Sequence, residues 1–350
     1  MKPELACSTI VFRDRDVFTA LDLIASEGFG KVDLCIVPGD CPHFDLENYD
    51  QGDVSQLLEH LARRNLSVVA LTVIPGFLNA RNTDACAELV KRAVDLAAKL
   101  GAGLVSLPAG ERVERNKWDD SVARVATLLS ELAEYAEGFN VEISVEAPHW
   151  ATLVEDVDDA ARFFELVGDQ RVGCTFDTSH VARGEKTALR EGLQKIGAKR
   201  VNHVHLRDVA GVNITVTPGR GHLDFGAFLR ALGECSYAGY LTLELEYRAA
   251  TVRQRQAEIG FARRYLEAID SGSPLPLDLK IRTTAPIKFL ERTVVNPVEE
   301  IRRSPQLTDS AKTLRSCLLS LLPVRAYDGH WRNKWYLPNR SRLVVQPRNS

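Results

Sequence analysis

The chain has 350 residues, 45% hydrophobic and 26% charged, with 23 Gly and 15 Pro; this is long enough for one α/β core of about 250 residues and excludes collagen-like, mucin-like and wholly disordered classes. Its formal net charge of −3 is uneven, with 30 Lys and Arg against 41 Asp and Glu in residues 1–271 and 14 against 6 in residues 272–350. An acidic body argues against nucleic-acid binding, which rests on neutralising phosphates, and apolar runs such as 68–74 fall short of the roughly 18 residues of a membrane span.

In chain order, apolar β-rich segments alternate with amphipathic helical patterns. The spacing predicts strand 5–11 and helix 16–27, strand 31–36 and helix 54–64, strand 67–71 and helix 84–100, then strand 104–107 and helix 119–137. It continues with strand 141–146 and helix 156–166, strand 171–176 and helix 187–196, strand 200–206 and helix 225–235, and strand 240–245 and helix 251–269. The helical faces recur with a period near 3.6, as at Leu89, Ala93, Leu96 and Leu100. Eight βα units in about 270 residues fit a (β/α)8 TIM barrel better than a doubly wound open sheet. No GxGxxG follows the first strand, which weakens the open-sheet alternative further.

Residues 272–350 form a C-terminal extension of a different kind, with eight of the fifteen prolines and no βα rhythm. One short amphipathic helix is expected at 308–322, followed by an irregular basic segment carrying Trp331, Trp335 and Tyr336. Aromatic residues in a basic arm more often pin a tail to its own domain or to a partner than stack on bases. Removing residues beyond 271 is therefore expected to leave metal content intact. The seven cysteines, Cys7, Cys35, Cys41, Cys86, Cys174, Cys235 and Cys317, are scattered without a CxxC pair. They read as reduced thiols of a cytoplasmic protein, Cys35, Cys174 and Cys235 serving as small hydrophobes, and the start, Met1-Lys2-Pro3-Glu4, reads as lacking a signal peptide.

In a barrel of this kind chemistry gathers where strands end. Strand 5 ends in Glu146-Ala147-Pro148-His149 and strand 6 in Asp177-Thr178-Ser179-His180. Strand 7 reads His203-Val204-His205-Leu206-Arg207-Asp208, and strand 8 runs into Glu244-Leu245-Glu246. Ionised groups inside buried strands need partners. A divalent cation is an economical one, and two Glu, one Asp and one His suit Mn²⁺, Co²⁺, Mg²⁺ or Zn²⁺ better than a thiolate-selective metal. The proposed ligands are Glu146, Asp177, His205 and Glu244. Strand alternation puts His203 with His205, and Glu244 with Glu246, on one face, so spacing alone leaves the choice within each pair open. The alternative is a lining salt-bridge network built on Arg207, with Asp177 acting merely as a helix N-cap.

The series Ser144-Val145-Glu146-Ala147-Pro148-His149, Asp177-Thr178-Ser179-His180, His203-Val204-His205-Leu206-Arg207-Asp208, Pro218-Gly219-Arg220-Gly221 with Asp224-Phe225, and Gly239-Tyr240-Leu241-Thr242-Leu243-Glu244 resembles the sugar phosphate isomerase/epimerase family. That family lies in the xylose isomerase-like TIM barrel superfamily, with ketose 3-epimerases, inosose dehydratases, C-glycoside-cleaving lyases and endonuclease IV. The resemblance covers residues 5 to about 270. It implies one divalent ion, Mn²⁺ first, on Glu146, Asp177, His205 and Glu244, and so implies a choice within both pairs. It implies substrate contacts at His180, Arg207 and Arg220, and a contact or acid/base role for His149. Two departures stand out: strand 2 carries Val32-Asp33-Leu34 where many members have Glu, and the basic extension has no counterpart in common members, suggesting a partner or oligomer contact.

The chemistry implied is proton abstraction beside a polarised carbonyl through an enediolate, with Glu146 and Glu244 removing and returning the proton on a sugar or polyol. Return to the opposite face epimerises and return to the neighbouring carbon isomerises. Loss of a β-substituent, helped by His149 or His180, makes the same site a lyase. A nuclease of the endonuclease IV kind needs further histidines, yet Pro75-Gly76-Phe77 and Thr215-Val216-Thr217 stand where they would fall. A non-catalytic binding subunit is disfavoured by intact Glu146 and Glu244.

Overall fold

The computed structural model describes residues 3–80, 83–183, 187–247 and 249–275. The helix expected at 308–322, the aromatic segment 331–336 and nearly all of the 272–350 extension lie outside them. Eight strands alternate with helices: β1 (Glu4–Ser8), α1 (Val17–Ser26), β2 (Lys31–Val37), α2 (Gln51–Arg63), β3 (Ser67–Val73), α3 (Thr83–Leu100), β4 (Leu104–Pro108) and α4 (Trp118–Glu137). The second half repeats the pattern with β5 (Glu142–Glu146), α5 (Val157–Val167), β6 (Val172–Asp177), α6 (Leu189–Ile196), β7 (Val201–Leu206), α7 (Phe225–Glu234), β8 (Tyr240–Leu243) and α8 (Val252–Asp270). Each strand pairs in parallel with its sequence neighbour, and β1 pairs with both β8 and β2, which closes a (β/α)8 barrel. No helix among the described residues is long and apolar enough to cross a membrane.

Local chemistry moves several boundaries from their expected places. β1 stops at Ser8 because the Ser8 hydroxyl accepts from the Ile10 amide and turns Thr9–Phe12 into a 3₁₀ turn. α2 starts three residues early, at Gln51, because Asp50 and Asp53 form a reciprocal capping box. A hairpin of Asp208–Ala210 and Asn213–Val216 after β7, and a two-residue strand Cys41–Pro42 after β2, are additions to the expected pattern. Cys35 and Cys174 are buried as expected, whereas Cys235, the C-cap of α7, is exposed.

The main apolar core lies between helices and barrel, where α5, for example, buries Val157, Ala160, Phe163, Phe164 and Val167. Gly173 of β6 leaves room for the Asn202 side chain, whose Nδ2 would lie 2.1 Å from a Cβ there. Inside the barrel, Ser144 and Ser106 each share a 2.7 Å hydrogen bond with Thr175, which carries a hydroxyl layer across β4, β5 and β6.

Candidate metal centre

The parallel register brings the polar strand ends to one rim. Glu146 closes β5, Asp177 closes β6, His205 is the penultimate residue of β7 and Glu244 follows β8. Asp177 is level with His205, and His205 with Thr242. One donor atom from each of Glu146, Asp177, His205 and Glu244 lies within 4.8 Å of all the others, and all four residues are buried. His205 Nδ1 is 3.3 Å from Glu244 Oε2 and 3.7 Å from Glu146 Oε1.

Asp177 divides its carboxylate between two tasks. Oδ1 caps the helical turn Thr178–Val181, accepting from the Ser179 and His180 amides at 2.7 and 3.0 Å. Oδ2 accepts from Arg207 Nε and Nη2 at 2.9 and 2.6 Å. The helix cap and the Arg207 ion pair, both features of the alternative reading, thus meet in one side chain that also lies in the four-residue cluster. Burial works to raise the Asp177 pKa, but the Arg207 guanidinium outweighs it and holds the carboxyl below its ordinary value. Burial is likewise outweighed at Glu146, where His149 and His205 hold the group well down, whereas at Glu244 burial prevails and the pKa rises.

The residues fit a divalent cation on two grounds. Five carboxylates, Asp33, Glu146, Asp177, Glu244 and Glu246, face two guanidiniums, Arg13 and Arg207, of which Arg13 is shared with Asp40, and one imidazole, His205, whose pKa Glu244, Asp33 and Glu146 raise well above its ordinary value against burial. That excess of negative charge calls for a compensating cation. Glu146 Oε1 and His205 Nδ1, which face each other at the centre, are buried with no hydrogen-bond partner among the described residues, and buried polar atoms are seldom left so. Three carboxylates and an imidazole form a donor set for Mn²⁺, Co²⁺, Mg²⁺ or Zn²⁺.

His180 and His149 stand beside this cluster with ring centroids 4.4 Å apart. The Trp150 amide donates to His180 Nδ1 at 3.4 Å, which puts the ring proton on Nε2, 3.9 Å from Glu146 Oε1. Burial and the nearby His149 lower the His180 pKa to about 3, so its ring is neutral and Nε2–H is a fixed donor. His149 Nδ1 is 3.7 Å from Glu146 Oε2, and about a quarter of its side chain is exposed.

Arg207 enters the cluster as an ion-pair partner, also donating to Glu246 at 2.6 Å and lying 3.4 Å from Glu244. Arg220 is seated differently from the other expected residues, pairing through two nitrogens with Glu258 of α8 at 2.6 and 2.8 Å and lying 4.1 Å above the Phe261 ring. Its loop is gathered by buried Asp208, which accepts from the amides of Val209, Gly219, Gly221 and Leu223. Sequence reasoning missed Arg13 and left Glu246 as an alternate. Arg13 bridges Asp40 and Glu246, and the pattern in the sequence that pointed to Glu246 was its two-residue offset from Glu244. A buried trio also escaped notice: His43 Nδ1 is 3.3 Å from Cys41 Sγ and 2.9 Å from Thr9 Oγ1.

Comparison with known proteins agrees with this architecture. Residues 21–269 match the family model described as xylose isomerase-like TIM barrel. Fructoselysine 3-epimerase of Shigella flexneri is 27% identical over 161 residues, covering 45% of this chain and 58% of the relative, so the match spans little more than half of that enzyme. Inosose isomerase of Bacillus velezensis is 26% identical over 218 residues, covering 57% of this chain and 76% of the relative, and an inosose dehydratase of Clostridium perfringens is 27% identical over 137 residues, covering 34% and 45%. Among solved structures, a D-tagatose 3-epimerase-like protein superposes with a TM-score of 0.62 at 20% identity, covering 77% of this chain and 99% of that one. The IOLI protein, whose structure holds a zinc atom, superposes with a TM-score of 0.61 at 19% identity, covering 76% and 98%. With most of the barrel matched by the family model and the same fold in the solved structures, the chain belongs to the xylose isomerase-like TIM barrel family.

Proposed function

We propose that this protein is a divalent-metal-dependent epimerase or isomerase of a sugar or polyol that moves a proton next to a carbonyl. The observation that carries the reading is the convergence of Glu146, Asp177, His205 and Glu244 on one buried point, with two central donor atoms lacking a partner among the described residues. Those four residues would hold the ion, which when bound polarises a substrate carbonyl and stabilises developing enediolate charge. The zinc atom in the IOLI protein supports the ion, and the fructoselysine 3-epimerase and inosose isomerase relatives support a polyhydroxylated carbonyl substrate.

Glu146 and Glu244 come from strands on different sides of the barrel, so one carboxylate takes the proton and the other returns it. His180 presents Nε2–H to a substrate oxygen without giving the proton up. Arg207 holds Asp177 in register through its paired hydrogen bonds. A second reading, a lyase that expels a β-hydroxyl, draws on the inosose dehydratase relatives and on His149, a partly exposed imidazole beside Glu146.

The test is metal content per chain by plasma mass spectrometry for the wild type, Glu244→Gln and Asp177→Asn, followed by incubation of the loaded wild type with ketoses and inososes in D₂O. One ion lost in both variants, with deuterium entering the recovered sugar, is expected. Deuterated product with one water fewer would select the lyase. No ion after reloading with Mn²⁺, Co²⁺, Mg²⁺ or Zn²⁺ would overturn the reading, and three zinc ions would favour a nuclease.

A further inference from the structure

We propose that Asp33 is a positioning residue that braces the outer edge of the His205 imidazole, so that Nδ1 is the atom turned toward Glu146 and Glu244. The inference rests on the metal reading above and goes beyond it, because Asp33 is outside the four ligands.

Asp33 lies in mid-β2, not at its end, and is fully buried in the barrel lumen. An ionised carboxylate there is costly unless several groups satisfy it. The Thr72 amide donates to Oδ1 at 3.0 Å and the Thr72 hydroxyl to Oδ2 at 2.8 Å. His203 Nε2 approaches the same Oδ2 at 3.2 Å and is itself 3.3 Å from the Thr242 hydroxyl. His205 Nε2 faces that oxygen at 3.4 Å, and the two rings meet edge to face with centroids 5.0 Å apart. One oxygen of β2 thus gathers groups from β3 and β7, while the far edge of the His205 ring looks into the carboxylate cluster.

Carboxylates face both ring nitrogens, Asp33 at Nε2 and Glu244 at Nδ1; with a cation held at the Glu146 and Glu244 edge, Oδ2 of Asp33 would be the acceptor that keeps the ring proton on Nε2 and turns the Nδ1 lone pair to the ion. With Thr72 anchoring Asp33 through two donors, rotation of the His205 ring is opposed from below. A purely architectural purpose fits poorly, since an apolar side chain of similar volume would fill the lumen without a buried charge. Asp33 shortens the side chain relative to Glu, and that length suits the direct approach of two rings to a single oxygen.

The experiment is calorimetric titration of Mn²⁺ into metal-free full-length wild type, Asp33→Asn and Thr72→Val, with visible spectra of the Co²⁺-loaded proteins and thermal unfolding of the metal-free ones. Asp33→Asn is expected to weaken Mn²⁺ binding about 10- to 100-fold and to shift the Co²⁺ ligand-field bands, at one ion per chain. Thr72→Val, which removes one donor to Oδ2 and keeps its size, is expected to weaken binding less, and it decides the question if Asp33→Asn does not fold. Affinity within twofold of wild type and unchanged Co²⁺ bands in the folded variants would overturn the inference and leave the metal reading standing. Two ions in the wild type and one in Asp33→Asn would overturn it in favour of Asp33, His203 and His205 being a site of their own. A wild type that takes up no ion would overturn the metal reading and this inference together.

Discussion

The two ends of the barrel lumen are filled with opposite chemistry. At the N-terminal end Ala6, Val69, Ala70 and Leu104 form an apolar plug with Tyr240 packed against it. At the C-terminal end β8 and the strands before it deliver Glu146, Asp177, His205 and Glu244. The change takes only a few residues: Ala70 gives way to Thr72 on β3, Leu104 to Ser106 on β4, and Thr242 to Glu244 at the end of β8. The difference teaches that stability and chemistry are separated along the barrel axis, as the architecture permits. Damage at one end should be silent at the other.

The sharpest test of that separation is Glu244→Gln at the polar end. Solvent-deuterium incorporation by the loaded enzyme should fall by about 10²- to 10⁴-fold, read by mass spectrometry. The thermal midpoint of the metal-free protein should hold or rise, because one of several crowded like charges is gone. Next comes Leu104→Ala at the apolar end, expected to cost about 2–5 kcal/mol in urea unfolding while metal per chain stays at the wild-type value. Loss of the ion in that variant would break the comparison.

A smaller effect is expected from Asp208→Asn. Its carboxylate receives four backbone amides of one loop, and their partial loss should cost about 1–3 kcal/mol in the same assay, with KM rising more than kcat falls. Smallest is Arg190→Ala, which removes an ion pair to Glu234 whose side chains are 58% and 55% exposed. Stability should change by no more than about 0.5 kcal/mol, and deuterium incorporation should not move.

The barrel was legible because its strands and helices announce themselves by local periodicity, and the eight expected units coincide with the eight observed. Boundaries failed where a single side chain captured a backbone amide, as Ser8 does at the end of β1 and Asp50 at the start of α2. The four candidate ligands were legible as ligand-type residues ending consecutive strands. The surroundings were less so, for a physical reason. Asp33 meets His203 across 170 positions, and Arg13 meets Glu246 across 233, distances at which no local pattern links the partners. Arg220 reads from its Gly-rich loop as a substrate contact, and its pairing with Glu258, 38 positions further on, and its seat over Phe261 have no local pattern to announce them.

Closure of the sheet gives the molecule an order of assembly. β1 lies between β8 and β2, so the first strand to leave the ribosome waits for the last before both its edges are paired. Glu244 arrives with that last strand. Until then Glu146, Asp177 and His205 form an open arc, and the crowding of like charges that the finished centre must hold is deferred to the closing event. A product that ends short of β8 would carry three of the four candidate donors and leave one edge of β1 unpaired, open to pairing with another chain.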